Sequence, residues 1–156
     1  MGNETRIERK VIIFQLQNEE YAMSVEQIGS IERLQSITRV PQTADFIKGV
    51  INLRGVVTPI IDLRLRFGMK SVEYDDSTRI IIVYLDDIEV GLIVDMANDV
   101  IDIPEDLIEP APEIVDNVDV NYIEGVAKLE NRLLIILDLR KVLTIDEIEE
   151  IKTMEG

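Results

Sequence analysis

The sequence predicts an all-β fold: two similar small barrels followed by a C-terminal α-helix. Three observations carry this. Short β-rich runs come in hairpin pairs, the pairs resemble one another at fixed offsets, and the last dozen residues show helical spacing instead. Each repeat reads as about five short strands in about 70 residues, the size of a small closed barrel. The chain is treated as one domain over 1–156, with barrel units at 10–67 and 68–143 and a helix at 144–154.

In chain order, Lys10 to Leu16 (KVIIFQL) and Tyr21 to Val25 flank the polar Asn18-Glu19-Glu20 and predict a hairpin. Val25, Ile28 and Ile31 then recur every three residues, which predicts a helical turn. Either it packs wholly into its own barrel, or it lines a groove where the two barrels meet. FIKGVINLRGVVTPIIDLRLRF, from Phe46 to Phe67, predicts a second hairpin. Gly49, like Gly125 in the later matching segment, interrupts its strand as a bulge or close-approach residue, and Arg54 stands at or beside the hairpin tip. Pro59 is expected at an edge or a bulge, and Asp62, like Asp138 in the later matching segment, should cap a short helical turn.

Arg79 to Leu85 and Ile88 to Val94 repeat the first hairpin at an offset of 69, with Asp86-Asp87 between them. YIEGVAKLENRLLIILDLRKVL, Tyr122 to Leu143, repeats the second at an offset of 76, with identities from Ile47/Ile123 to Arg64/Arg140. A longer, Pro-containing connection, Ile103 to Asn121, accounts for the larger offset. Gly55 faces Asn131 across the repeats, two residue types that tolerate positive φ in a tight turn. Thr144 to Glu147 fits a capping box, and Ile145, Ile148 and Ile151 then form an apolar helical face for docking on a barrel. Residues 1–8 are polar and expected to fray.

With 31 acidic and 16 basic residues the net charge is −15, a field that repels phosphate backbones and anionic lipid. Nucleic-acid binding and direct membrane insertion are not expected, no apolar run is long enough to span a bilayer, and the chain is expected to be cytoplasmic. Neither Cys nor His occurs, which removes thiol nucleophiles, His-based triads and His metal sites. No cofactor or metal is expected. The acidic pairs Asp75-Asp76, Asp86-Asp87 and Asp146-Glu147 lie in polar turns without the spacing of a calcium loop. Lys48, Asn52 and Arg54 become Glu124, Lys128 and Glu130 in the second repeat, so charge differs where structural positions agree. Two readings stay open: exposed hairpin positions drift freely, or a cationic spot on an acidic body registers an acidic partner.

The Phe46 to Phe67 segment, with its bulge glycine, Asn-Leu-Arg-Gly turn and Pro59, resembles the signature of the CheW family of bacterial chemotaxis coupling proteins. VGLIVD and Pro110 to Glu113 follow in family order, so the likeness spans about residues 8 to 145. The resemblance implies two SH3-like five-stranded barrels sharing a core and bracketing a groove. It implies a non-enzymatic adaptor of two-component signal transduction. Such an adaptor joins the cytoplasmic helical-hairpin tip of chemoreceptors to the regulatory domain of the histidine kinase CheA, itself a related double barrel. By position, Ile12, Val25, Ile28, Ile31, Ala97, Asn98 and Val100 line the receptor groove, with Arg54 and Gly91 supporting receptor coupling. Ile37, Val40, Lys48 and Gly49 form the kinase face, and Ile114 belongs to a second, weaker contact. The expected protein is a monomer in isolation that joins ring assemblies with the kinase at membrane-associated receptor arrays.

Two rivals share the fold. The kinase's own regulatory domain would follow a nucleotide-binding domain, whereas this chain opens at Met1; a coupler fused to a receiver domain would carry about 120 further residues. The alternative from another class, a carboxylate-based hydrolase on a β-barrel, requires two buried acids facing a concave site.

Overall fold

A computed structural model describes residues 7–41, 43–85, 87–111 and 120–155. Its eleven strands are β1 (Glu8–Leu16), β2 (Glu19–Ser24), β3 (Ile28–Arg33), β4 (Ile47–Leu53), β5 (Val56–Asp62), β6 (Arg79–Leu85), β7 (Ile88–Val94), β8 (Met96–Pro104), β9 (Ile108–Glu109), β10 (Ile123–Leu129) and β11 (Arg132–Leu137). Three helices join them, α1 (Leu63–Arg66), α2 (Leu139–Val142) and α3 (Ile145–Glu155). The strands form two sheets, ordered β8-β1-β2-β11-β10-β9 and β3-β6-β7-β5-β4.

Neither sheet respects the expected division at residues 67 and 68. Hairpin β1–β2 from the first repeat sits in the second repeat's sheet, between β8 and β11, while hairpin β6–β7 sits in the first repeat's sheet, between β3 and β5. The exchange is symmetric down to register. Ile12 faces Val100 as Ile81 faces Ile31, and the parallel pair Ile136–Ala22 repeats as Ile60–Gly91. Each repeat is thus a sequence unit, but each barrel is assembled from both.

Each sheet closes because the segment leaving one edge returns to pair with the other. After β3, Thr38 exchanges two backbone hydrogen bonds of 2.8 Å with Val50 on β4. After β8, a 3-10 turn leads into β9, which pairs with Val126 and Ala127 on β10. Gly49 makes the first closure possible: its φ is 139°, and a Cβ there would lie 2.0 Å from the Thr38 carbonyl oxygen. Its equivalent, Gly125, lies under the Glu109 carbonyl, and both glycines sit at ladder bulges.

The apolar runs fill both faces of the strands. Val11 and Ile13 point into one barrel, and Ile80 and Ile82 into the other. Their neighbours Ile12, Phe14, Ile81 and Val83 meet in a third core between the sheets, sealed by α2 and α3 through Leu139, Val142 and Ile151. Strands buried on both faces are continuously hydrophobic rather than alternating. The caps form as expected: Asp62 accepts from Leu65 N, Asp138 from Arg140 N, and Thr144 and Glu147 make a reciprocal capping box.

Four local expectations are corrected. The first turn is Gln17-Asn18, both at positive φ, so β2 already begins at Glu19. The three-residue recurrence of Val25, Ile28 and Ile31 is a 3-10 turn, Val25–Gln27, running into β3. Pro59 lies on an interior strand. It is accommodated because its facing residue, Val50, spends both backbone groups on Thr38, and the parallel ladder to β7 starts only at Ile60. Arg54 and Gly55 turn the β4–β5 hairpin with φ of 53° and 86°, while Asn131 lacks the positive φ. The expected fraying at residues 1–8 falls largely outside the described residues, and β1 starts at Glu8.

Candidate interaction surfaces

The first barrel closes through Thr38 and Val50, and Ile37, Val40 and Lys48 come together beside this closure. They line a depression of about 570 Å³, whose wall also includes Arg39, Ala44, Asp45, Ile47, Leu65 and Tyr74. Gly49 is buried beneath its rim and contributes space for the backbone of Thr38 and Arg39. Behind the wall, the Tyr74 hydroxyl donates to Asp62 at 2.7 Å. Asp62 is fully buried, and burial together with this carboxylate pushes the Tyr74 phenol well above its ordinary pKa. Ile114 lies outside the described residues.

The second group spreads along β1, β3 and β8 where the sheets meet. Ile28 and its repeat equivalent Ala97 are half-buried against the shared core. Ile31 and its equivalent Val100 are 42% and 54% exposed, on strands paired to Ile81 and Ile12. Ile12 itself is 3% exposed, so it supports this surface from below. Val25 is half-buried in its 3-10 turn, and Asn98 lies on β8 opposite the β1 bulge. Gly91 is enclosed between Ile60 and Ile80, where any Cβ would come within 2.7 Å of both, so it lies within the packing and not on the surface.

Arg54 stands apart from both groups. Its guanidinium is well exposed at the hairpin tip and reaches Glu32 on β3 at 3.1 Å, where Ser30 Oγ also donates. The turn around it is pinned by Asn52 Oδ1, which accepts from Gly55 N at 2.8 Å. Lys48 is half-buried by its stem in the depression. The charge contrast between the repeats therefore has two parts: Arg54 is anchored by an acid, and Lys48 belongs to a concave surface.

Sequence reasoning missed Arg39, Leu65 and Tyr74 as wall residues and Arg66 as a junction residue. Arg39 lies between two residues it named, but Leu65 and Tyr74 arrive through the α1 turn and the following segment, and no local pattern marks that approach. The acids expected to be solvated are exposed at Asp75, Asp76, Asp87 and Asp146, whereas Glu147 pairs with Arg66. Asp86 lies outside the described residues. Asp62 is the single buried acid among the described residues, and its partners are an internal hydroxyl and a backbone amide. The hydrolase alternative needs two such acids facing a cavity, and this arrangement does not provide them.

Apolar area flanked by isolated charges is the equipment of an interaction module rather than of a reaction centre. A family model described as CheW-like domain matches residues 10–147, and the chain belongs to that family. It is 54% identical over 143 residues to the chemotaxis protein CheW of Bacillus subtilis, covering 92% of each chain. The chemotaxis protein CheW of Klebsiella aerogenes is 40% identical, over 89% of this chain and 84% of that one. The crystal structure of the scaffolding protein TtCheW from Thermoanaerobacter tengcongensis superposes with a TM-score of 0.83 at 36% identity, covering 90% of this chain and 96% of that one. The family is non-catalytic, and the chain is a chemotaxis adaptor built as two SH3-like barrels with a C-terminal helix.

Proposed function

We propose that this adaptor joins the cytoplasmic tip of chemoreceptors to the regulatory domain of the histidine kinase CheA, in the cytoplasm and at membrane-associated receptor arrays. The observation that carries the reading is the gathering of Ile37, Val40 and Lys48 in one depression with a cationic member on a strongly acidic body. An acidic kinase surface is steered to that spot while the rest of the molecule repels it. Ile28, Ile31, Ala97 and Val100 offer the apolar strip on which a receptor helix lays its apolar face. Ile12, Val25, Asn98 and Gly91 shape that strip, Arg54 supports coupling from its hairpin tip, and Gly49 shapes the kinase face. Ile114 supplies the weaker contact that completes rings with the kinase, while the isolated protein is a monomer.

The adaptor works by linkage. Holding the kinase beside the receptor replaces a search through solution with a local encounter, and repeated weak contacts add avidity. Receptor states that engage the adaptor with different free energies bias the kinase, on a scale of about 1–3 kcal/mol.

Calorimetry against the isolated kinase regulatory domain tests the kinase face. Lys48→Glu is expected to weaken binding about tenfold, a change carried by one desolvated charge of about 1.4 kcal/mol. Unchanged affinity at low salt removes Lys48 from the interface. In reconstituted arrays, Arg54→Glu is expected to lower receptor-dependent kinase activation without changing kinase affinity; full activation by the folded variant counts against the receptor role.

A further inference from the structure

Arg66 and Val142 are equivalent positions of the two repeats, and they touch: Arg66 Nε donates to the Val142 carbonyl at 2.7 Å. The Arg66 guanidinium also stacks on two equivalent rings, 5.0 Å from the Phe46 centroid and 5.1 Å from the Tyr122 centroid. Its Nη2 donates to Glu147 Oε1 at 3.1 Å, the oxygen that accepts Thr144 N in the cap of α3. Both side chains of this pair are largely shielded, at 13% and 21% exposure. One charge thus binds the first barrel's aromatic, the second barrel's aromatic, the end of α2 and the start of α3. Only the first repeat carries an arginine here, so the two barrel ends differ although the repeats match.

The groups held by Arg66 border the depression. Phe46 lies between Asp45 and Ile47, and Leu65 precedes Arg66; all three neighbours are wall residues. The wall is otherwise tied by Ile47 N to the Ala44 carbonyl and by Asp62 N to the Phe46 carbonyl. α3 is anchored by Ile151, fully buried in the shared core, with Ile148 packed beside it.

We propose that Arg66 is a positioning residue through which docking of α3 sets the shape of the depression around Val40 and Lys48, and so how well it accepts an acidic partner surface. The proposal rests on the kinase-face reading given above. Two sites that share one element are energetically coupled in both directions. Docked α3 favours the partner, and the bound partner holds α3.

The test uses the full chain and the isolated kinase regulatory domain, read by calorimetry and amide hydrogen exchange. Arg66→Lys keeps the charge but loses the planar fork that stacks and donates twice. It is expected to lower affinity about 5- to 20-fold. It should also speed exchange at the Ile47 and Asp62 amides while leaving Val126 and Ala127 in the other barrel unchanged. In the unaltered chain, saturating partner is expected to slow exchange in α3. Glu147→Gln, which retains the oxygen that caps α3, is expected to act in the same direction and serves if Arg66→Lys does not fold. Unaltered affinity in both variants, or exchange that rises evenly across both barrels, overturns the proposal, because even loosening marks a loss of general stability. Lys48→Glu separates the two readings. If that change also leaves affinity intact, the kinase face and its coupling to Arg66 are both withdrawn; if Lys48→Glu alone weakens binding, the face stands and Arg66 has no part in it.

Discussion

Tyr74 shows how a single side chain can serve both the interior and a surface. Its ring borders the depression, and its hydroxyl satisfies the fully buried carboxylate of Asp62, which also caps α1. Replacing Tyr74 with Phe removes one hydrogen bond to the buried Asp62 side chain and is expected to cost about 2 kcal/mol at pH 8. The pH dependence follows from the raised phenol pKa. The folded state holds the proton more tightly than the unfolded state, so this contribution is complete below the unfolded tyrosine value of about 10. It is lost as the pH climbs above that value. Urea unfolding of the two proteins side by side should therefore show a stability difference that shrinks between pH 8 and pH 11, with other titrating groups cancelling. A constant difference across that range would mean that the fold does not raise the Tyr74 phenol.

At the scale of elements, closure of the first barrel depends on the absence of a side chain at Gly49. An alanine there adds a Cβ 2.0 Å from the Thr38 oxygen at a φ of 139°, whereas at Gly125 the nearest atom is 2.7 Å away and the φ is ordinary. Gly49→Ala is expected to cost about 3 kcal/mol and clearly more than Gly125→Ala, measured by chemical denaturation. Equal losses would mean that the Thr38 contact is not the cause. Both glycines were legible because a bulge announces itself within a few residues of a strand pattern, as caps do at Asp62, Asp138 and Thr144. The Val25, Ile28 and Ile31 recurrence misled for the same local reason: a 3-10 turn entering a strand imitates helical spacing over seven residues. Of the residues lining the depression, Ile37, Val40 and Lys48 were legible. Leu65 and Tyr74 were not, since they reach it through α1 and the segment beyond, and tertiary approach leaves no periodic trace.

At the scale of the whole molecule, the exchanged hairpins make the two repeats mutually dependent. The likeness of β1–β2 to β6–β7 revealed a duplication but could not say which half each hairpin joins, because both offer the same alternation to either sheet. Among the described residues, β8 and β11 are joined in their sheet through β1–β2, and β3 and β5 through β6–β7. A fragment of residues 1–67 thus lacks the centre of its own barrel, and so does a fragment of residues 68–156. Each fragment alone is expected to show little β-sheet circular dichroism and no cooperative melt, while an equimolar mixture regains both. The intact chain should unfold in one transition with no stable half-folded species. The acidity lies almost wholly in the second fragment: residues 1–67 carry 9 basic and 8 acidic residues and residues 68–156 carry 7 and 23, so no net repulsion opposes reassembly and its rate is not expected to rise with salt. A cooperative melt from either fragment alone would show that a barrel can close without its borrowed hairpin, and the interdependence would then belong to the pairing pattern and not to folding.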